Sequence, residues 1–495
     1  MTILTFKLKE GEAIAQIQLL DEPRLLFGNN RQCADPKVGL TSHGPALLDV
    51  EAGETTTIRA GAIGTYGALS HLREFLAKLS YAIPVKGSSQ GTQAWKMDFP
   101  GLSTRGPLAF DISLDENVVE PISEAEEQES LKDSDRKVRI ELSVKLYEQK
   151  FQDLVTSSAS LPGIILLPLS KQLVKMCRDP SLKTDRIIFE HRTMEKHGTF
   201  APVFNFHHAL KVVSYKHLLA CQVLLPSTMG FARGKQDPAT VAWNFATALY
   251  YKGTGIPWKL AELEETTCLV GISFYEEVGE QGSSMRASMA HVYVRSSDSQ
   301  IIRGKPFMWE DRTRQPTLSG TQAKELLHDV VDLFRRQKRE YPVRIVIHKT
   351  SAFTEDEISG FNEAARGVEL LDYVHVRAHD GSRFFHTGND YPPVRGTLIG
   401  EKSPYVMYTV GYVPCLGTYQ GMGSPVPLLL DVARNDTTPR QIGNDIMSLT
   451  KMDWNSTDFC QSQPVTTSVS RKVGQILAEM RARNIEPPQP YRYFM

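Results

Sequence analysis

Residues 206–229 read FHHALKVVSYKHLLACQVLLPSTM, and residues 248–260 read ALYYKGTGIPWKL. HHALKVVSYKHLL has the make-up of a helix, and CQVLLP that of a short apolar strand. VAWNFATALYYK, 241–252, is a second helix-like run that ends just before Gly253. His207 and Lys211 are four apart, so on a helix they share a face. Gln222 lies on the apolar segment, and Lys252 closes the second helix. Four side chains suited to phosphate, with two helix ends, thus fall within fewer than fifty residues.

The same alternation runs outward from this stretch. TTIRAGAIG, 56–64, is a short strand, and TYGALSHLREFLAKLS, 65–80, puts Leu69, Leu72, Leu76 and Leu79 on one helical face. LPGIILLPLSKQLVKMCRD, 161–179, repeats the scheme. Solid apolar strands between helices predict a doubly wound, mostly parallel α/β sheet. From 259 the order changes. CLVGISFYEE, SMRASMAHVYVRSS and QIIRGKPFMWE predict three successive strands before a long helix, TQAKELLHDVVDLFRRQKREY. VRIVIHKT is a fourth strand and EDEISGFNEAAR a helix. VELLDYVHVRAH, SPYVMYTVGYVP and PVPLLLDVA predict further strands, and helices near 440–451 and 467–483 close the chain. Three strands, a helix and a fourth strand are the order of an RNase H-like core.

The chain has 495 residues, 41% hydrophobic and 23% charged, with net charge −1. That balance excludes a generic polycation that coats nucleic acid, but not a local basic groove. Asp111–Asp135 holds ten acidic residues and one lysine, so the remainder is net basic. This acidic stretch is expected as a solvated loop or connector inserted in the first domain. Cysteines 33, 177, 221, 268, 415 and 460 are scattered without a CxxC pair, which predicts buried thiols in a reducing compartment. MTILTFKLKEGEA lacks the apolar core of a signal peptide, and no apolar run approaches the ~20 residues that span a bilayer. A cytoplasmic protein with no membrane partner is expected.

The ordered set His207-x3-Lys211, Gln222 and Lys252-x-x-Gly-x-Pro-Trp resembles the guide-anchoring pocket of the MID domain of Argonautes, in particular the short prokaryotic ones. EPRLLFGNNRQCADPKVGLTSHGP, 22–45, is similar to the opening of the same proteins. The resemblance implies an N-terminal extended segment, 1–51, packed on PIWI. It implies a Rossmann-like MID domain, 52–258, and an RNase H-like PIWI domain, 259–495. By resemblance His207, Lys211, Gln222 and Lys252 hold the 5′-phosphate of a guide. Gln222 and the terminal carboxylate of Met495 then hold a Mg2+ ion that also touches this phosphate. Lys451, Asn455, Arg471, Lys472 and Arg492 are candidates for guide or target backbone contacts, and each is equally a solvated surface group.

An RNase H-like nuclease needs carboxylates around two divalent metals. In slicing relatives the first follows a Gly-hydrophobic pair on the first strand; here VGISF puts Ser273 in that place. The second follows the fourth strand; here IVIHKTSAF puts Thr350 there, beside Lys349. PVTTSVSRKVGQIL offers neither Asp nor His for the last ligand. A hydroxyl does not replace a carboxylate against two dications, so an inactive centre is expected. Asp356 and Glu357 fall on the following helix, away from that centre. No Walker, HExxH or GxSxG signature is present. His328, His348 and His386 are isolated, as packed or surface histidines are.

The implied function is guided recognition. A short 5′-phosphorylated guide, RNA by resemblance, pairs with invading single-stranded DNA. Pairing then activates a partner in which a PAZ-like accessory region is fused to a TIR, sirtuin-like or nuclease effector. A heterodimer that assembles further on activation is implied. Two other classes stay open: a guided endonuclease with displaced carboxylates, and a guide-free RNase H-like structural subunit.

Overall fold

The computed structural model describes residues 3–6, 15–86, 95–178, 188–190, 203–232, 236–253, 255–278, 284–293, 299–308, 316–379, 381, 383–385, 392–421, 423–483, 485–486 and 490–495. The N-terminal lead contributes β1 (Ile3–Phe6), β2 (Ala15–Leu19), β3 (Leu25–Leu26) and β4 (Gln32–Cys33), then α1 (Pro36–His43). The first α/β unit holds β5 (Thr56–Thr65), α2 (Tyr66–Leu79), β6 (Phe110–Ile122), α3 (Glu124–Leu131), α4 (Arg136–Ser157), β7 (Ile164–Pro168) and α5 (Lys171–Cys177). It continues with β8 (Ile188–Glu190), β9 (Val203–Asn205), α6 (Phe206–Lys216), β10 (Ala220–Leu224), α7 (Pro226–Met229) and α8 (Pro238–Gly253). Its main sheet runs β10-β7-β5-β6, with every neighbour parallel. Every residue of β7 is buried, as helices on both faces require. Side-chain oxygens of Thr65 and Ser170 accept backbone N–H groups at the starts of α2 and α5, so the strand-to-helix turns are capped by the sequence itself.

The acidic stretch 111–135, expected as a solvated loop, is instead structural. Its first half is edge strand β6, in register with β5, and its second half carries α3. Val118, Ile122 and Leu131 supply buried anchors between the acids. Ser123 and Glu126 form a capping box, and Arg59 and Arg73 pair with Asp115 and Glu116. A charge run concealed a strand because an edge strand tolerates acids on its outer side.

After β11 (Lys259–Leu260), which pairs with β3, the second unit begins. It comprises β12 (Thr267–Val278), β13 (Ser284–Tyr293), β14 (Gln300–Arg303), β15 (Phe307–Met308), α9 (Gly320–Lys338), β16 (Arg344–Lys349), α10 (Glu355–Ala364) and β17 (Leu370–Ala378). Then come β18 (Thr397–Ile399), β19 (Tyr405–Met407), β20 (Leu428–Asn435), α11 (Pro439–Leu449), α12 (Val465–Ser468) and α13 (Ser470–Ala482). β12, β13 and β14 form an antiparallel meander, and β16 and β17 add parallel to β12 on its other side. That is the RNase H order. QIIRGKPFMWE, expected as one strand, breaks into β14 and β15 around Pro306, which has no N–H to give a ladder. SPYVMYTVGYVP forms strand only at Tyr405–Met407.

The lead completes the larger sheet. β2 pairs with β18, so the eleven-stranded sheet runs on from β20 through β19, β18 and β2 to β1. Glu22 then places its carboxylate 2.9 Å from Arg395 Nε and 2.7 Å from Lys451 Nζ. Burial works against that charge, yet the two cations hold Glu22 below the usual carboxylate range. Among the described residues no helix is long and apolar enough to cross a membrane.

Candidate nucleic-acid site

Helix α6 turns its apolar face inward, burying Ala209, Leu210, Val212 and Val213. His207 stays exposed at its first turn, while Lys211, one turn on, is buried. The Lys211 ammonium donates to the carbonyl oxygen of Phe494 at 3.0 Å. β10 carries Gln222 in register with Leu166 of β7. Lys252, in the last turn of α8, is buried; its ammonium donates to Gln222 Oε1 at 2.7 Å and to the Cys221 carbonyl at 3.1 Å. Gln222 Nε2 donates in turn to the Val223 carbonyl at 3.2 Å. Burial pushes the Cys221 thiol up, and both Lys252 and Lys211 pull it back, so the two ammoniums converge on this strand. Burial also pulls Lys252 down to about 8. Among the described residues no carboxylate answers its charge.

The C-terminal segment closes the same place. Pro490 bridges to Gln300 at the end of β14, and Tyr491 N–H donates to the Ser299 carbonyl at 2.8 Å. Tyr491 then packs 6.2 Å from Tyr251, which lies 4.4 Å from Trp454. Tyr493 meets Tyr215 edge-on at 5.3 Å and donates its hydroxyl to the Leu218 carbonyl. The Arg492 guanidinium sits 5.8 Å from the Tyr251 ring centre. Met495 is buried, and its N–H donates to the Tyr491 carbonyl. The structure therefore brings Lys211, Gln222, Lys252, Arg492 and the Met495 end together, with His207 at the rim. The carbonyl partners of the two lysines carry no sequence signal, because any residue type supplies them.

On the larger sheet Ser273 lies on β12, and Thr350 follows β16. Thr350 N–H donates to the Ile272 carbonyl at 3.2 Å, so the two hydroxyl residues occupy neighbouring strands. Ser273 is buried, and its Oγ has no hydrogen-bond partner. His348, paired with Gly271, hydrogen-bonds Thr466 Oγ1 through Nδ1 at 3.0 Å, and its Nε2 is unpartnered. Burial, with Arg344 nearby, pushes this imidazole down to about 3, so it is neutral. A Cβ at Gly271 would overlap the Thr466 carbonyl oxygen, which is how closely α12 covers this strand. Lys349 turns to the opposite face and pairs with Glu357 at 2.6 Å, both fully buried. Glu357 also accepts the Leu318 and Thr354 N–H groups, and Asp356 accepts that of Gly320. Both carboxylates near Thr350 thus serve the α9–α10 corner. Among the described residues no three His, Cys, Asp or Glu side chains are placed to hold a metal ion.

Three solved structures share this architecture. Clostridium butyricum Argonaute, bound to a guide DNA with 5′ deoxycytidine and a 19-mer target DNA, superposes with TM-score 0.62 and 16% identity over 94% of this chain. The fold is that of an Argonaute. Aa-Ago with externally bound siRNA gives 0.53 and 15% over 97%, and Drosophila Piwi gives 0.57 and 13% over 98%. The chain spans 53%, 56% and 57% of those proteins' lengths. No family model matches the sequence, and no curated protein is similar to it in sequence.

Within this Argonaute fold the other candidate residues are dispersed. Lys451 is buried, ion-paired with Glu22, donating to the Ala34 carbonyl at 2.6 Å and lying 3.8 Å from the Phe459 ring centre. Asn455 lies half-buried in the following turn, its N–H on Asp453 Oδ1. Arg471 and Lys472 fall in the first turn of α13, and their side chains lie outside the described residues.

Proposed function

We propose that this chain is the guide-holding sensor of a prokaryotic defence system. A short 5′-phosphorylated guide, RNA on the family resemblance, is anchored by His207, Lys211, Gln222 and Lys252. The observation that carries this reading is Lys252, a buried ammonium met only by neutral acceptors. Burying an unpaired charge is costly, and a terminal phosphate with nearly two negative charges would relieve the cost. Mg2+ at the phosphate belongs to the same reading. The oxygen donors suit a hard dication: Gln222 Oε1 is already turned towards cationic charge, and the Phe494 carbonyl, next to the terminal residue Met495, faces Lys211. When bound, the ion would neutralise part of the phosphate charge.

The guide pairs with single-stranded target DNA, and base pairing supplies the sequence selectivity. Ser273 and Thr350 in place of carboxylates support recognition without cutting. Activity then belongs to an associated effector with a PAZ-like region, assembled with this chain as a heterodimer in the cytoplasm. The test compares 5′-phosphate with 5′-hydroxyl guides. Lys211→Ala and Lys252→Ala should each weaken the phosphorylated guide by about 1.5–3 kcal/mol, the worth of a hydrogen bond to a charged group, and leave the hydroxyl guide unchanged. Equal binding of both guides by the unmutated chain would sink the pocket assignment.

A further inference from the structure

Strands β12, β16 and β17 are parallel, so their C-terminal ends share one edge of the sheet. In open α/β sheets that edge is where ligands gather. Ser273 and Thr350 lie towards it, and the loop after β17 springs from it. The described residues of this loop are held by hydrogen bonds. His379 N–H donates to the Pro427 carbonyl at 2.9 Å, and Arg383 donates back to the His379 and Gly381 carbonyls at 2.9 and 3.2 Å. Phe384 N–H donates to the hydroxyl of Tyr408, a fully buried residue, at 2.8 Å. Yet both side chains keep much of their surface exposed, Phe384 41% and Phe385 54%. They are the only phenylalanines among the exposed large apolar residues described, and exposed Val426 adjoins the same loop. Exposed Arg377 lies at the loop's root, and half-buried Arg383 precedes the rings. Adjacent exposed aromatics on a held backbone mark an interaction site rather than a loose tip.

We propose that Phe384 and Phe385 form a stacking platform for a nucleobase of the target strand as it runs along this edge. Flat aromatic rings beside guanidinium groups suit a base with its phosphate, whatever the sequence. The inference rests on the guided-recognition reading above, and it adds a base-contacting site on the opposite domain from the phosphate pocket.

The experiment loads the full chain with a phosphorylated guide, then titrates single-stranded target DNA carrying 2-aminopurine. Phe384→Ala, Phe385→Ala and the double variant should load guide as the unmutated chain does. Target affinity should fall about five- to a hundred-fold, the loss of one or two stacked bases. Quenching of 2-aminopurine should be lost at one position of the target only, and Phe384→Trp should restore it. Unchanged target affinity and quenching in a double variant that loads guide would overturn the platform and leave the rings to a protein partner. If the unmutated chain shows no phosphate-dependent loading, the guide reading fails instead. The same variants titrated with unguided single-stranded DNA then decide the platform alone.

Discussion

An ammonium buried among carbonyl and amide oxygens destabilises its protein until an anion arrives, and Lys252 is so placed. Its folded pKa of about 8 lies below the ordinary 10.5. Below pH 8 both folded and unfolded chains hold the proton, and the full burial penalty applies. Between pH 8 and 10.5 the unfolded chain binds more protons, so stability should rise with pH across this window. Lys252→Met should flatten that rise, as read by urea unfolding at pH 7.5, 9 and 10. If the proposed phosphate binds there it would restore the charge, so guide binding near pH 9 should take up a proton. Calorimetry in buffers of different ionisation enthalpy measures this uptake, and Lys252→Met should abolish it. That Lys211, Gln222 and Lys252 belong together was legible through the family resemblance that their order and spacing carry; spacing by itself put only His207 and Lys211 on one face. Lys451 was not legible as a core residue. A lone lysine reads as surface until the fold brings Glu22 to it from the far end of the chain.

At the scale of elements, the corner between α9 and α10 turns on one ion pair. Lys349 and Glu357 are fully buried at 2.6 Å, and Lys349 lies 5.5 and 5.2 Å from the ring centres of Phe274 and Phe353. Burial drives Lys349 down, and Glu357 only partly offsets this. Glu357→Ala should cost about 3–5 kcal/mol, because it strands the ammonium. Lys349→Met with Glu357→Leu should recover most of that, and urea unfolding of the three variants checks both. Helices with apolar faces, such as α2 and α9, were readable from periodicity. The strand within 111–135 was not, since acids interrupt it and its few anchors are spaced by a bulge in the strand itself, where Leu114 and Val119 face Ala60 and Ala62. The covering of β12 by α12 was equally hidden: Gly271 makes it possible, and glycine alone does not say what lies upon it.

For the whole molecule, the lead is a structural member. Arg395 and Lys451 have no exposed side-chain surface and share the carboxylate of Glu22. Glu22→Ala leaves two buried cations facing each other, so a loss of about 3–5 kcal/mol is expected. Hydrogen exchange should then rise first at β2 and β18, whose ladder the ion pair flanks. An unchanged exchange pattern would mean that the strand pairing holds the lead without the charges. The RNase H order was readable because β12 to β17 follow one another in the chain. The pairing of β2 with β18 was not, since no local pattern names a partner so distant.

That pairing also sets an order of assembly. The parallel sheet from β5 to β10 is made entirely of residues lying between β2 and β18 in the chain. During synthesis it can therefore close before β18 has left the ribosome, while β2 waits with an open ladder edge. A nascent chain halted before Thr397 should carry a folded, protease-resistant parallel sheet and a cleavable β1–β2 segment, with β3 already held by β11. The strands that carry Gln222 and its neighbours would then be folded before the larger sheet is complete.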